Sequence, residues 1–262
     1  MKAYLVSFLL FFCIIESHQA ATLDNGNWVA QNRPSSESVE DFSSDDFVSH
    51  WSQNHTLFRK LVTKLEKDYK RYKGHPRFLK SLYFRTEMYL LEEYQQYSLL
   101  EDVLQEGKFD CVSGSLLLAS LLDRFEIPYK IMETSHHVFV IVEQGGEEII
   151  LESTGGIDGF ISGTSEVKNY LSVFGPDKTP NLNLNPKLRE LESILNPSIY
   201  RQISISQLKG LEHFNRAIFY NNEGNLSAAI EQLDEAKRFY PCDRVIAMDI
   251  LLKNHRILAE NE

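Results

Sequence analysis

Apolar residues recur at helical spacing through the first half of the chain. The run "DDFVSHWSQNHTLFRKLVTKLEKDYKRY" places Phe47, Trp51, Phe58, Leu61, Val62 and Leu65 along one stripe, and Gly74 and Pro76 end it. "RFLKSLYFRTEMYLLEEYQQYSLLEDVLQEG" predicts one or two further helices, closing at Gly107. A Leu-rich helix then opens at Cys111, in "GKFDCVSGSLLLASLL". After it the period shortens to that of a strand. "YKIMETS", "HHVFVIVEQ" and "EEIILESTG" are short, rich in Ile, Val, Phe and Tyr, and separated by polar or Gly-containing turns. "EQGGEE" is a hairpin connection between the last two. Three antiparallel strands packed on the Cys111 helix are expected, which makes the fold class α+β.

Further along, "GPDKTPNLNLNPK" reads as a long surface loop. The stretch "HFNRAIFYNNEGNLSAAIEQLDEAKRFYPCDRV" carries Ala217, Tyr220, Gly224, Ala229, Leu233, Ala236 and Pro241. Those spacings resemble a tetratricopeptide unit, with small residues where two helices touch, Gly at the turn and Pro after the second helix. A further helix follows from about residue 244 to 258. One such unit cannot bury its own faces, so it is expected to pack against the rest of the chain rather than form a peptide groove.

Composition narrows the classes of function. Of 262 residues, 43% are hydrophobic, enough for a packed core and too many for a disordered chain. The formal charge of −10 argues against nucleic acid as a partner, because phosphate contacts need a basic stripe. The densest basic run, "KLEKDYKRYKGHPRFLK", is interleaved with acids and aromatics and reads as the solvated face of a helix.

The N-terminus reads as an address. "MKAYLVSFLLFFCII" offers one lysine and an apolar run from Tyr4 to Ile15, followed by polar residues and Ala20 and Ala21. That is the layout of a secretory signal, too short to span a bilayer comfortably, and it predicts an exported protein, secreted or periplasmic. Leu10, Phe11 and Phe12 lack the small residue that a lipoprotein signal places beside its cysteine, so lipidation at Cys13 is the lesser reading; membrane attachment would come only through an uncleaved signal. The expected organisation is a signal over 1–20, a flexible leader over 21–46, a main domain over 47–200 and a helical segment over 201–262.

Cleavage near residue 20 leaves two cysteines, Cys111 and Cys242. In an exported protein a disulfide between them is the competing expectation. A free thiol at Cys111 ranks above it on local grounds. Cys111 follows Gly107 and Asp110 and precedes the apolar run, so it opens a helix, where unpaired N–H groups and the helix dipole favour a thiolate. His137 begins the strand "HVFVIV", and Glu152 closes the strand "EEIILE". Thiol, imidazole and carboxylate are the three groups that nucleophilic catalysis by cysteine requires, and adjacent antiparallel strands can set His137 beside Glu152. No Cys-x-x-Cys or His-Glu-x-x-His spacing points to zinc, and no cofactor or metal is expected. Gln105 is a candidate second oxyanion donor by residue type alone.

"FDCVSGSLLLASLLDRFEIPYK", "HVFVIV" and "ILEST" together resemble the core of the transglutaminase-like superfamily, over roughly Tyr97 to Gly156. The upstream "YSLLEDVLQEGKFDC" is similar to its SirB-type branch. The resemblance implies a papain-like α+β core, a Cys-bearing helix on a small antiparallel sheet, with helical segments at both ends. It implies Cys111 as nucleophile, His137 as general base and Glu152 as the orienting acid. His136 is the rival base; neighbours in a strand point to opposite faces, and the match to a strand beginning His-x-Phe selects His137. Two positions depart from the family pattern. Glu126 stands where a glycine usually precedes Ile127 and Pro128, and Glu152 replaces the commoner Asp.

Two functions of different class follow. One is an exported cysteine enzyme acting on amide bonds of a peptide or protein substrate through a thioester, by hydrolysis or by acyl transfer. The other is an inactive binding or scaffold protein that uses the fold and recruits a protein partner through its C-terminal helices. A thiol turned away from the imidazole, or a Cys111–Cys242 bridge, would favour the second.

Overall fold

The computed structural model describes residues 41–174 and 199–259. The signal expected at 1–20, most of the leader and the loop expected at 175–187 lie outside the described residues.

Three helices come first: α1 (Ser44–Asn54), α2 (Thr56–Tyr72) and α3 (Pro76–Leu90). The continuous stripe of the sequence is broken at His55. That residue is extended (φ −123°, ψ 119°); its N–H closes α1 on the Trp51 carbonyl, and its Nδ1 accepts the Phe58 N–H 3.2 Å away to open α2. His75 opens α3 in the same manner, accepting the Arg77 N–H at 3.1 Å, with Pro76 in the first turn where its missing donor costs nothing.

A short parallel pair, β1 (Glu93–Tyr94) with β2 (Lys108–Phe109), brackets α4 (Leu100–Glu106). Gly107 ends α4 in the left-handed conformation (φ 70°), as its place in the sequence suggests. Then α5 (Cys111–Arg124) runs through the middle of the molecule. Leu116, Leu117, Leu118, Leu121 and Leu122 are all fully buried, so this helix is apolar around its circumference and packs on α1, on the sheet and on a C-terminal helix.

The sheet has five strands, β3 (Tyr129–Thr134), β4 (Val138–Gln144), β5 (Glu147–Leu151), β6 (Phe160–Ser162) and β7 (Tyr200–Ile203). Their order is β6-β5-β4-β3-β7 and every neighbouring pair is antiparallel. The three strands read from the sequence form its centre, and two short strands that the sequence pattern does not mark form its edges. Gly145 and Gly146, both at positive φ (67° and 83°), make the two-residue turn from β4 to β5. β4 is apolar on both faces because both are covered. Val138, Val140 and Val142 belong to the core with α5, whereas Phe139 and Ile141 pack with Val167 and Tyr170 of α6 (Thr164–Leu171). The fold class is α+β.

β7 spans the boundary expected at 200/201 and leads into α7 (Ile205–Asn222), α8 (Leu226–Phe239) and α9 (Asp243–Ala259). α7 and α8 pack through small residues, Ala217, Ala229 and Ala236, all fully buried. A buried ion cluster ties this segment to the sheet. Glu133 on β3 accepts from Arg201 of β7 at 2.8 Å, from the Tyr240 hydroxyl at 2.7 Å and from Arg244 of α9. Among the described residues no helix is long and apolar enough to cross a membrane.

Candidate active site

The turn before Cys111 is locked by its neighbours. Asp110 is the N-cap of α5, and one of its oxygens accepts the Val112 and Ser113 N–H groups, each at 2.9 Å. Ser113 returns the contact, its hydroxyl oxygen accepting the Asp110 N–H at 2.9 Å, which completes a capping box. The second Asp110 oxygen accepts the Tyr97 N–H at 3.1 Å. Burial pushes the Asp110 carboxyl up to about 6, against the pull of these hydrogen bonds. Cys111, half-buried, is the first residue of the helix, where the dipole is positive.

Helix and sheet approach closely at this end. A Cβ on Gly114 would lie 2.6 Å from the Ser153 Cβ, so only glycine lets the first turn of α5 rest against the end of β5. The β4–β5 register, with Val140 opposite Leu151, brings the start of β4 beside the end of β5. Sequence-distant groups thereby become neighbours. His137 Nε2 lies 2.5 Å from Glu152 Oε2. The Cys111 side chain is close enough to act on the same imidazole. All three residues singled out in the sequence meet here.

The imidazole is held on every side. Its N–H main-chain group donates to Thr134 Oγ1 at 2.9 Å, and the Phe174 ring stacks on it at 5.6 Å, 17° from parallel. Burial alone would lower its pKa; the hydrogen bonds and charges of Cys111 and Glu152 outweigh that and raise it to about 10. His137 therefore keeps its proton at neutral pH.

Glu152 is buried and fully engaged. Oε1 accepts from the Thr154 N–H at 2.9 Å and the Thr154 hydroxyl at 2.6 Å, while Oε2 accepts from Tyr170 of α6 besides His137. Burial works to raise its pKa, but His137, Thr154 and Tyr170 together hold it below the ordinary carboxylate value. Its main chain is pinned too: the Glu152 N–H donates to the Gly159 carbonyl at 2.8 Å, and the buried Tyr83 hydroxyl lies 2.8 Å from the Glu152 carbonyl and 2.7 Å from that of Gly156. This arrangement can hold a proton on the imidazole, keep the ring fixed and leave the sulfur beside it.

At His136, burial and the Arg244 guanidinium lower the pKa. Gln105 is exposed on α4. Cys111 and Cys242 are both free thiols, so the disulfide expected as an alternative is not formed. Sequence reasoning missed Tyr170, Tyr83, Phe174 and Tyr97. Thr154 alone had a local signal, its place two residues after Glu152. A cavity of about 500 Å³ lies away from the cluster, beside Glu126, Ile127, Pro128, Tyr129 and Ile203, and none of the three residues lines it. Among the described residues no group of three His, Cys, Asp or Glu side chains is arranged to hold a metal ion.

Compared with known proteins, the chain matches no family model, no curated protein and no solved structure.

Proposed function

We propose that the protein is a cysteine-dependent acyl-transfer enzyme of transglutaminase-like type, acting on amide bonds of peptides or proteins. The observation that carries this reading is the 2.5 Å contact of His137 with Glu152, on an imidazole whose pKa Cys111 also raises. A helix bearing the cysteine, packed on an antiparallel sheet that supplies the other two groups, agrees with the papain-like core that the sequence resemblance implies. The signal read over residues 1–20 supports export as its place of action.

In the proposed reaction the Cys111 sulfur, its proton held on His137, attacks the amide carbonyl carbon. The carbonyl electron pair moves to oxygen, near the N–H groups at the start of α5. As the C–N bond breaks, His137 gives its proton to the leaving nitrogen and an amine departs. Water or a second amine then attacks the thioester, His137 accepts its proton, and the sulfur is released. Glu152 keeps the ring oriented and the imidazolium stabilised throughout.

A Cys111–Cys242 bridge would favour the competing scaffold reading, and both cysteines are free. Alkylation by iodoacetamide at mildly acidic pH tests the proposal. Cys111 should react faster than Cys242, and His137→Ala should slow Cys111 by about a hundredfold, the loss of the imidazole that takes and holds the thiol proton. Equal rates at the two cysteines in the unaltered protein would remove the reading. A dye-labelled amine offered with a protein substrate then separates transfer, which incorporates the dye, from hydrolysis.

A further inference from the structure

Tyr97 has a left-handed backbone, with φ of 68°, in a residue type that rarely adopts it. Such a conformation persists only where the surroundings enforce it. Tyr97 is met by groups from α7, more than a hundred residues along the chain. Arg216 Nη1 donates to the Tyr97 carbonyl at 3.2 Å. Asn222 acts on the Tyr97 hydroxyl, and the Tyr97 ring lies 6.1 Å from that of Phe219. Arg216 is itself held over Phe219 and Tyr220, with centroid distances of 5.0 and 5.3 Å. On its other side the same peptide segment meets the N-cap of α5: the Tyr97 N–H donates to Asp110 Oδ2 at 3.1 Å. Asp110 Oδ1 caps Val112 and Ser113 in the turn that Cys111 opens.

Each Asp110 oxygen thus has its own anchor, one in the Cys111 helix and one in the Tyr97 loop. Two anchors fix the plane of the carboxylate, whereas one would leave it free to turn about its bond to the backbone. Building on the reading of Cys111 as nucleophile, we propose that Tyr97 is a positioning residue for that thiol and that Arg216 of α7 is what keeps Tyr97 in its strained, donating conformation. The C-terminal helices are on this view part of the reactive centre's support, joined to it by the path Arg216, Tyr97, Asp110, Cys111.

The test uses the full chain and reads the alkylation rate of Cys111 by iodoacetamide, resolved from Cys242 by peptide mapping, from mildly acidic to mildly alkaline pH. Arg216→Ala should slow Cys111 by about tenfold, the effect of losing a hydrogen bond from a charged donor, and should alter its pH profile. Cys242 should react at its original rate. Arg216→Lys, which keeps a cationic donor without the planar fork, should recover most of the loss. Should Arg216→Ala fail to fold, Tyr97→Phe removes only the ring hydroxyl on which Asn222 acts, and a measurable slowing at Cys111 is expected there too. An unchanged Cys111 rate and profile in these variants overturns the inference, as does an equal slowing at Cys242, which would signal general loosening. If the unaltered protein shows no preference for Cys111 over Cys242, the nucleophile reading falls first and this inference with it. If that preference is present and the variants do not change it, only the role of Tyr97 and Arg216 is lost.

Discussion

Gly114 and Ser153 touch so closely that a methyl group on the glycine would fall 2.6 Å from the serine Cβ and 2.7 Å from its oxygen. The contact lies one helical turn from Cys111 and one residue from Glu152, so it sets the spacing between nucleophile and acid. Gly114→Ala should push the helix from the sheet, at a cost of about 1–3 kcal/mol for overpacking. Urea unfolding reads the stability, and alkylation of Cys111 reads the spacing. Ser153→Gly in the same chain should restore both, because it removes the obstructing side chain.

The raised pKa of His137 makes stability depend on pH in a definite direction. The ring titrates at about 10 in the fold against 6.5 in the free side chain, so between those values the folded state holds the extra proton. Its contribution is complete below pH 6.5 and is lost as pH rises through about 10. Melting temperatures of the unaltered protein and of His137→Gln should differ most below that window and converge towards its upper end. A difference that grows with pH would contradict the assignment.

Glu126 has φ of 54°, the conformation that a glycine at this turn would adopt without strain. Residues with a Cβ lose about 1–2 kcal/mol there, and glycine gives back part of that gain through its freer unfolded chain. Glu126→Gly should therefore stabilise by roughly 0.5–1 kcal/mol, seen as a higher urea midpoint with an unchanged slope.

Glu133 is fully buried between Arg201, Tyr240 and Arg244. Removing it strands two guanidinium groups, of which Arg244 is nearly buried as well. Glu133→Ala should cost about 3–5 kcal/mol in equilibrium unfolding. Arg201→Ala should cost less, since its side chain is 45% exposed and Arg244 continues to neutralise the carboxylate.

The reactive trio was legible because each member stands at the end of an element with a strong pattern of its own. Asp110 before Cys111 announces a helix start, and His137 and Glu152 bound apolar runs whose hairpin is fixed by Gly145 and Gly146. The supports were not legible. Tyr170 and Tyr83 reach Glu152 from helices whose local sequence says nothing about which carboxylate they meet. β6 and β7 are too short for alternation to register, and β7 exists because β3 offers it a free edge. His55 broke a stripe that apolar spacing alone would continue, because a capping side chain there satisfies the N–H of Phe58 in place of a helical carbonyl.

Both borders of the sheet are its shortest strands, three residues in β6 and four in β7, while the interior strands have five to seven. A foreign strand laid along either side would find only a few main-chain partners before the ladder ran out. The molecule thereby keeps a heavily apolar sheet from becoming a template for its own aggregation, without needing a proline or a lysine to guard each margin.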